Sequence, residues 1–487
     1  MKKTILSLRS LFGLMIMGVC AIVLLTGCGV SNNFTFSSQT GACPKGPNNA
    51  PYCISITMNN NGGAQNWINS TTFPISNLVV NVSGATNIQT PSNNASTMDP
   101  NGCTTKTLNP GSSCTFYLKI SNEAYPTTAT ENININMTYT INNSLFGSGS
   151  TYSNSFTIYQ VTNLYIMQNS GNLIIANAAQ INTFQAESLD TSNSTAVDTN
   201  SYGYLYIGGN DGIYQYGNES TSTSIASTAP QNAGNLFTLG ANLYAAGIGS
   251  SPTVGIYSLA NRSWESTSYT STVPFMLNVN SVAVDGSEFY LATSNQVLSC
   301  PIGGTNPTCK EEGVNLSNVQ TIAATNVDVQ PFTGLYTGTS NGLFAESGAF
   351  GTKTAQWIPV KTNIGNNIES TVSSTVTNGN LYAGDISGNI WFISSSSTTP
   401  LVANQFLNGA LVNSGSITNM VVDNVAALLY FIVKSGTTYT LYACSIATPA
   451  TCTNLQKAPS TFPTITNPVV GLNIGSQLVS SLSSQPN

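Results

Sequence analysis

The sequence predicts an all-β protein, and three observations support this prediction. The chain is rich in Asn, Ser, Thr, Gly and Tyr, a composition typical of many short strands joined by turns. From residue 161 onward a pattern of strands recurs at intervals of roughly 40–50 residues. Before that point, short alternating strands are separated by turn residues. Together these features predict a β-sandwich followed by a β-propeller.

The N-terminus predicts export. Three basic residues (Lys2, Lys3 and Arg9) precede an uninterrupted apolar run from Leu11 to Leu25. A run of about 15 residues is too short to cross a bilayer comfortably and suits the apolar core of a signal peptide. Residues 1–27 are therefore predicted to be a signal peptide.

The apolar run ends in Leu25-Thr26-Gly27-Cys28, followed by Gly29. This order resembles the lipobox of bacterial lipoproteins, in which the cysteine is acylated and becomes the mature N-terminus. The resemblance implies that Cys28 carries several acyl chains. Because stable anchoring takes more than one acyl chain, the membrane is an expected partner. Gly29 in place of Asp resembles lipoproteins sorted to the outer membrane of Gram-negative cells. The alternative is a plain signal peptide whose cysteine falls at the cleavage site by chance. In the lipoprotein interpretation, residues 28–42 form the lipidated cysteine and a polar tether.

Charge and composition exclude several classes of function. The formal net charge of −6 becomes about −9 when the signal peptide is removed, and no basic patch remains to attract nucleic acid. The chain contains no histidine, which excludes histidine-based catalytic triads, general acids and bases, and metal sites. We expect no catalytic residue, no metal and no cofactor.

Eight cysteines remain beyond the signal peptide and the anchor, and they fall into close pairs. An exported compartment is oxidising, so each pair is predicted to form a local disulfide that stabilises the protein by roughly 2–3 kcal/mol. The pairs are Cys43–Cys53, Cys103–Cys114, Cys300–Cys309 and Cys444–Cys452.

Residues 43–160 predict a sandwich of immunoglobulin-like type. Its strands are predicted at Cys53–Met58, Asn77–Val82, Cys114–Ile120, Ile133–Ile141 and Ser155–Gln160. The stretch from Asn101 to Phe116, with Asn-Pro-Gly-Ser-Ser-Cys-Thr-Phe at its end, resembles a segment of bacterial Ig-like domains. That resemblance implies that Cys103 and Cys114 staple neighbouring strands. The domain is expected to space the propeller from the membrane.

Residues 161–480 predict the propeller, and residues 481–487 a tail. Each unit has a β-branched strand, a strand centred on Tyr, a third strand and a weaker fourth one, which is the strand count of a propeller blade. The Tyr-centred strands surround Tyr206, Tyr244, Tyr290, Tyr336, Tyr382 and Tyr430. A degenerate unit with a core strand at Asn172–Ile175 precedes these six, and Pro468–Ile474 is expected to close the ring by joining it. Seven blades are predicted, with six or eight as alternatives.

The cadence of Ser281-Val282-Ala283-Val284-Asp285 followed by a Leu-Tyr strand resembles propellers of the NHL and YVTN type. The recurring Tyr and Asp side chains could line a binding surface. Since they recur with the blade period, we expect the tyrosines to pack between blades and the aspartates to cap turns. Cys300–Cys309 and Cys444–Cys452 are expected to staple third and fourth strands.

Few charged residues could carry chemistry. The repeated carboxylates are Asp198, Asp285, Asp328 and Asp423, and blade symmetry would distribute them around the ring rather than pair them across a cleft. The Lys310-Glu311-Glu312 cluster is predicted to be a solvated strand edge. The segment from residue 208 to 212 is followed by too few carboxylates to complete the oxygen shell of a calcium ion, so it is interpreted as a tight turn between strands.

The leading functional hypothesis is an outer-membrane lipoprotein that acts as a non-catalytic binding or scaffold component. Its propeller would dock an envelope or secretion-machinery protein, a layout similar to that of barrel-assembly lipoproteins. The alternative is a surface-displayed carbohydrate-binding protein or adhesin, in which Trp264, Trp357 and Trp391 contact sugars. The third is a glycan-active enzyme that uses Asp198, Asp285 and Asp423.

Overall fold

The structure is a computed structural model, and its secondary-structure elements are numbered in chain order below. It describes residues 34–41, 53–60, 74–83, 88–91, 95–109, 111–120, 132–141, 150–177, 184–188, 194–199, 205–209, 212–216, 222–224, 233–239, 242–247, 254–258, 263–264, 269–271, 279–285, 288–303, 307–312, 316–325, 331–348, 355–398, 400–424 and 426–480. No helix among these residues is long and apolar enough to span a membrane.

The N-terminal region is built from antiparallel strands and one short helix. They are β1 (Phe34–Gly41), β2 (Cys53–Asn60), β3 (Ile75–Ser83), β4 (Ile88–Gln89), α1 (Ala95–Met98), β5 (Ser113–Ile120), β6 (Asn132–Ile141) and β7 (Ser150–Gln168). One sheet has the order β1-β2-β5-β4, and a second contains β3-β6-β7. The five predicted strands are thus confirmed, whereas the immunoglobulin-like arrangement stays a prediction.

Six four-stranded blades follow, and in each the chain runs from the innermost strand to the outermost. Blade 1 comprises β10 (Ser194–Thr199), β11 (Leu205–Gly209), β12 (Gly212–Tyr216) and β13 (Ser222–Ser224); blade 2 comprises β14 (Ala233–Leu239), β15 (Asn242–Gly247), β16 (Val254–Ser258) and β17 (Ser263–Trp264); blade 3 comprises β19 (Val279–Asp285), β20 (Glu288–Thr293), β21 (Val297–Pro301) and β22 (Thr308–Glu311). Blade 4 comprises β23 (Val319–Ala324), β24 (Phe332–Thr339), β25 (Gly342–Ser347) and β26 (Gln356–Pro359); blade 5 comprises β28 (Thr371–Thr377), β29 (Asn380–Asp385), β30 (Ile390–Ile393) and β31 (Val402–Leu407); blade 6 comprises β32 (Ser416–Asp423), β33 (Leu428–Ser435), β34 (Thr438–Ser445) and β35 (Thr453–Lys457).

Short connecting segments add a fifth, parallel strand to the outer edges of two blades. These are β18 (Thr270–Ser271) on β22 and β27 (Lys361–Thr362) on β31. Because the outermost strand would otherwise present a row of unpaired backbone groups, the added strands cover part of those edges.

The predicted number of seven blades is corrected to six, because only six sheets of the described chain are formed by four consecutive strands of their own. The remaining place in the ring is occupied by β36 (Val469–Ser480), β7, β8 (Asn172–Asn177) and β9 (Phe184–Ser188). This sheet continues through β6 into β3, so it is shared with the N-terminal region. The physical reason is the length of β7, which pairs with β6 along its first half and with β36 along its second.

The expected closure by the C-terminal segment is confirmed. β36 pairs antiparallel with β7, and it contacts the innermost strands of both blade 6 and blade 1. The innermost strands therefore contact one another around a complete circle. Each of them, β36 included, has a register shift near its beginning, which is typical of a β-bulge and increases local twist.

The hydrophobic core lies between the blades, and the repeated tyrosines are its largest members. All six are almost completely buried: Tyr206, Tyr244, Tyr290, Tyr336, Tyr382 and Tyr430. The Tyr336 and Tyr382 hydroxyls reach the next blade, donating hydrogen bonds to the carbonyl oxygens of Pro400 (3.3 Å) and Pro449 (3.1 Å). Burial accordingly raises the pKa of Tyr382 to about 12. The expectation that these tyrosines pack between blades is confirmed.

Candidate binding face

The repeated aspartates do not form a common site. Asp198, Asp285 and Asp423 end or nearly end the innermost strands of blades 1, 3 and 6, so other blades separate them. Asp423 is buried and accepts a hydrogen bond from the backbone N–H of Ala426 (2.9 Å), which is the predicted turn cap. Asp328 lies outside the described residues.

Asp198 has a role that the sequence did not predict. One of its carboxylate oxygens accepts a hydrogen bond from the backbone N–H of Thr238, on the innermost strand of blade 2. The other accepts one from the side-chain amide of Asn473, on β36, at 2.7 Å. A single carboxylate thus links β10 to both neighbouring inner strands at the place where the ring closes.

Two of the tryptophans considered for sugar binding are engaged within the protein. Trp357 and Trp391 are both partly buried against inter-blade clusters of apolar residues. The indole N–H of Trp357 donates to the carbonyl oxygen of Glu312 (3.3 Å), and that of Trp391 donates to the carboxylate of Asp385 (2.9 Å). Trp264 belongs to β17, and its side chain lies outside the described part of the chain.

The prediction of a solvated edge at Lys310-Glu311-Glu312 is wrong for the last residue. Lys310 is exposed, but Glu312 is buried beyond the end of β22 at the boundary between blades 3 and 4. A second buried carboxyl, Glu346 on β25, lies beside it. The sequence carried no signal for this pair, because the two residues belong to different blades and meet only when the blades pack.

Three of the four predicted disulfides are present: Cys103–Cys114, Cys300–Cys309 and Cys444–Cys452. Cys300 and Cys309 join β21 to β22 as expected, whereas Cys452 lies one residue before β35. Cys28 and Cys43 lie outside the described residues, as does the side chain of Cys53, so the lipid anchor and the Cys43–Cys53 pair stay predictions.

The best candidate for a binding face lies on blade 5, in the turn from residue 385 to 389. The fully buried carboxylate of Asp385 accepts four hydrogen bonds, each 2.9 Å long. Their donors are the backbone N–H groups of Ser387 and Asn389, the Asn389 side-chain amide and the Trp391 indole. The carboxylate therefore fixes the whole turn, and charge-assisted bonds of this kind are stronger than neutral ones.

A short 3-10 helix (Gly409–Val412) packs against this turn. Asn389 connects the two segments, since its side-chain oxygen accepts hydrogen bonds from the Gly409 backbone N–H (2.9 Å) and the Gln405 side-chain amide (3.0 Å). A Cβ on Gly409 would lie 2.0 Å from the Ser387 carbonyl oxygen, so only glycine permits this approach. The helix is also capped by the Asn408 side chain, which accepts from the Ala410 N–H.

This rigid pair of segments holds two large apolar side chains in solvent. Ile386 is 48% exposed and Leu411 is 66% exposed. Ile364, which is 77% exposed, belongs to the connection that leads into the same blade. Among the described residues, the only other large hydrophobic side chain of this kind is Val79, in the N-terminal region. We call the turn 385–389 and the 3-10 helix the blade-5 face.

Among the described residues, no group of three or more Cys, Asp or Glu side chains could hold a metal ion.

No family model matches the sequence, and no curated protein matches it either. Similar solved structures include a protein assigned as a 6-phosphogluconolactonase from Bacteroides uniformis, at 12% identity and a TM-score of 0.43, covering 66% of this chain and 99% of that one. The extracellular domain of a hybrid two-component system from B. thetaiotaomicron matches at 18% identity and 0.42, covering 58% and 35%. The WD40 propeller domain of Doa1 matches at 11% identity and 0.41, covering 55% and 86%. Because these TM-scores are below 0.5, the propeller fold is assigned from the order and pairing of the strands and not from these similarities.

Proposed function

We propose that this protein is a non-catalytic binding scaffold of the bacterial cell envelope, anchored by a lipid on Cys28. Its blade-5 face would dock a protein partner of an envelope or secretion assembly. The observation that carries this proposal is the exposure of Ile386 and Leu411 on two segments that a buried hydrogen-bond network holds rigid. Leaving a leucine two-thirds exposed loses the free energy of burial, and an ordered site of this kind lowers the entropic cost of binding.

The roles of the charged and aromatic residues support a binding function over the alternatives. Asp198 and Asp423 take part in structural hydrogen bonds in separate blades, and Trp357 and Trp391 pack partly buried against apolar clusters between blades. A glycan-active enzyme would require carboxylates facing each other across a cleft, and a sugar-binding surface would require aromatic rings free to stack. No observation on the described residues favours either alternative.

Site-specific photo-crosslinking in native membranes tests the proposal. A crosslinking amino acid at Leu411 should give a discrete protein adduct, and the same amino acid at Lys457, exposed on the outermost strand of blade 6, should not. Ile386→Ser should reduce the adduct formed from position 411 several-fold, because it removes a neighbouring contact of the same face. Adducts of equal yield from both positions, or a yield that Ile386→Ser leaves unchanged, would contradict docking at this face.

Anchoring is tested separately by Cys28→Ala. The variant should lose the lipid and leave the membrane fraction on extraction with aqueous buffer, whereas a protein held by other means would stay in that fraction.

A further inference from the structure

The boundary between blades 3 and 4 contains two carboxyl groups without solvent access. Glu346 is 0% exposed and Glu312 is 1% exposed. Glu346 lies in β25, opposite Trp357 of β26, and the Trp357 indole donates across the boundary to the Glu312 carbonyl oxygen. The backbone N–H of Glu312 donates to the Val297 carbonyl oxygen (2.8 Å), which fixes this residue to blade 3.

The hydrogen bonds of Glu346 are incomplete for an ionised carboxylate. Its Oε2 accepts from the Thr333 hydroxyl at 2.8 Å, whereas Oε1 is buried and receives no hydrogen bond from a protein donor. In addition to burial, the carboxyl of Glu312 raises the pKa of Glu346 through its charge and through a hydrogen bond between the two groups. Since an ionised carboxylate can only accept, such a contact requires a proton on one of them.

The other titratable groups around the pair are acidic too. Glu288 contributes a further negative charge near Glu346, and Tyr290 lies among Glu288, Asp285, Glu312 and Glu346, with its hydroxyl 3.5 Å from Glu288. Lys310, the cation on β22, is exposed. Burial, together with the charge of Glu312, raises the pKa of Glu346 to about 8, although the Thr333 hydrogen bond opposes the shift.

We propose that Glu312 and Glu346 form a proton-dependent latch between blades 3 and 4, closed when the pair shares one proton and loosened when both groups are ionised. With the proton in place, the pair adds a hydrogen bond to the Trp357 contact across the boundary. Without it, two negative charges meet in a buried environment and repel each other.

The sign of the pH dependence follows from linkage. The closed boundary retains the proton up to the raised pKa of Glu346, about 8, while in an opened boundary the carboxyl would titrate near its ordinary value. The stabilisation is complete at acid pH and is lost as the pH rises through about 8. Between the two pKa values the closed boundary binds one proton more than the opened boundary does, so the equilibrium constant for opening should rise about tenfold per pH unit.

Amide hydrogen exchange of the full mature chain measures this opening locally. After correction for the intrinsic rate, β22 and β25 should lose about tenfold protection per pH unit between pH 5 and pH 8. In Glu346→Gln, which cannot ionise and can donate to Glu312, the slope should be close to zero. Glu369→Gln, at an exposed glutamate near the blade-5 face, is the matched control and should retain the wild-type slope.

Three outcomes would overturn the latch. They are a flat wild-type profile, a slope that persists in Glu346→Gln, and a slope of the same size in β34 of blade 6, which would indicate a global effect. Should Glu346→Gln fail to fold, Glu312→Gln serves instead. Removing that negative neighbour should lower the pKa of Glu346 and shift the upper end of the pH window downward, and an unchanged window would refute the proposal.

Discussion

A glycine in the middle of blade 5 permits this blade to approach blade 6. A Cβ built on Gly384 of β29 would lie 2.5 Å from Cγ2 and 2.6 Å from Cβ of Ile417, on the innermost strand of blade 6. Ile417 is completely buried and cannot move into solvent. Gly384 is not among the glycines with positive φ, so its backbone accepts alanine without strain and the penalty is purely steric.

The expected magnitude follows from the size of this overlap. Adding one methyl group to a packed core costs about 1–3 kcal/mol of unfolding free energy, which is the range we expect for Gly384→Ala. Ile417→Ala alone should cost about 2–5 kcal/mol, because it leaves a cavity. The double variant loses the overlap with Cγ2 but keeps the 2.6 Å approach to Cβ, which alanine retains, so Gly384→Ala should cost less unfolding free energy in the Ile417→Ala background than in the wild type, giving a coupling energy of about 0.5–1.5 kcal/mol.

Urea unfolding of the four proteins, followed by fluorescence and by hydrogen exchange in β29 and β32, measures this cycle. Gly338→Ala is a matched control in blade 4, since its Cβ would meet Thr321 (2.6 Å) and the carbonyl oxygen of Thr371 (2.7 Å) instead. The Ile417→Ala substitution should not reduce the stability cost of Gly338→Ala. Wild-type stability of Gly384→Ala, or an equal cost in both Ile417 backgrounds, would refute the reasoning that this contact sets the blade spacing.

Two further predictions concern buried or partly buried aspartates. Asp198→Ala should lower the free energy of unfolding by about 2–4 kcal/mol, since it removes two charge-assisted hydrogen bonds between inner strands. Protection from hydrogen exchange should fall first in β36, and unchanged protection there would contradict the role of Asp198 in ring closure. Asp385→Ala should lower the free energy of unfolding by about 3–5 kcal/mol and raise the amide exchange rate of residues 386–391, because it removes four hydrogen bonds; Asp385→Asn should have an intermediate effect on both. Loss of crosslinking at Leu411 in both variants would show that the network holds the blade-5 face in place.

The repeat and the pairing of nearby cysteines could be predicted from the sequence because both depend on residues close together in the chain. Strand alternation, Tyr-centred second strands and turn residues recur within each unit, and a disulfide such as Cys300–Cys309 joins adjacent strands of one hairpin. The closing role of the C-terminal strand was also predicted, since it completes a unit that lacks its innermost strand.

The number of blades could not be predicted because β7 carries no sign of its double pairing. Its 19 residues join β6 at one end and β36 at the other, and a strand's partners depend on what the rest of the chain brings to its edges. The predicted boundary between residues 160 and 161 falls inside this continuous strand.

The sequence by itself determined an all-β chain of repeated strands with local disulfides and an N-terminus that resembles a lipoprotein. Only the tertiary structure decided which polar groups are buried and which apolar ones are exposed. Glu312 follows two charged residues yet lies buried beside Glu346, and Leu411 is an ordinary aliphatic residue yet projects into solvent. Both outcomes depend on contacts between segments of different blades or connections, for which local sequence patterns contain no information because the contacting residues are distant in the chain.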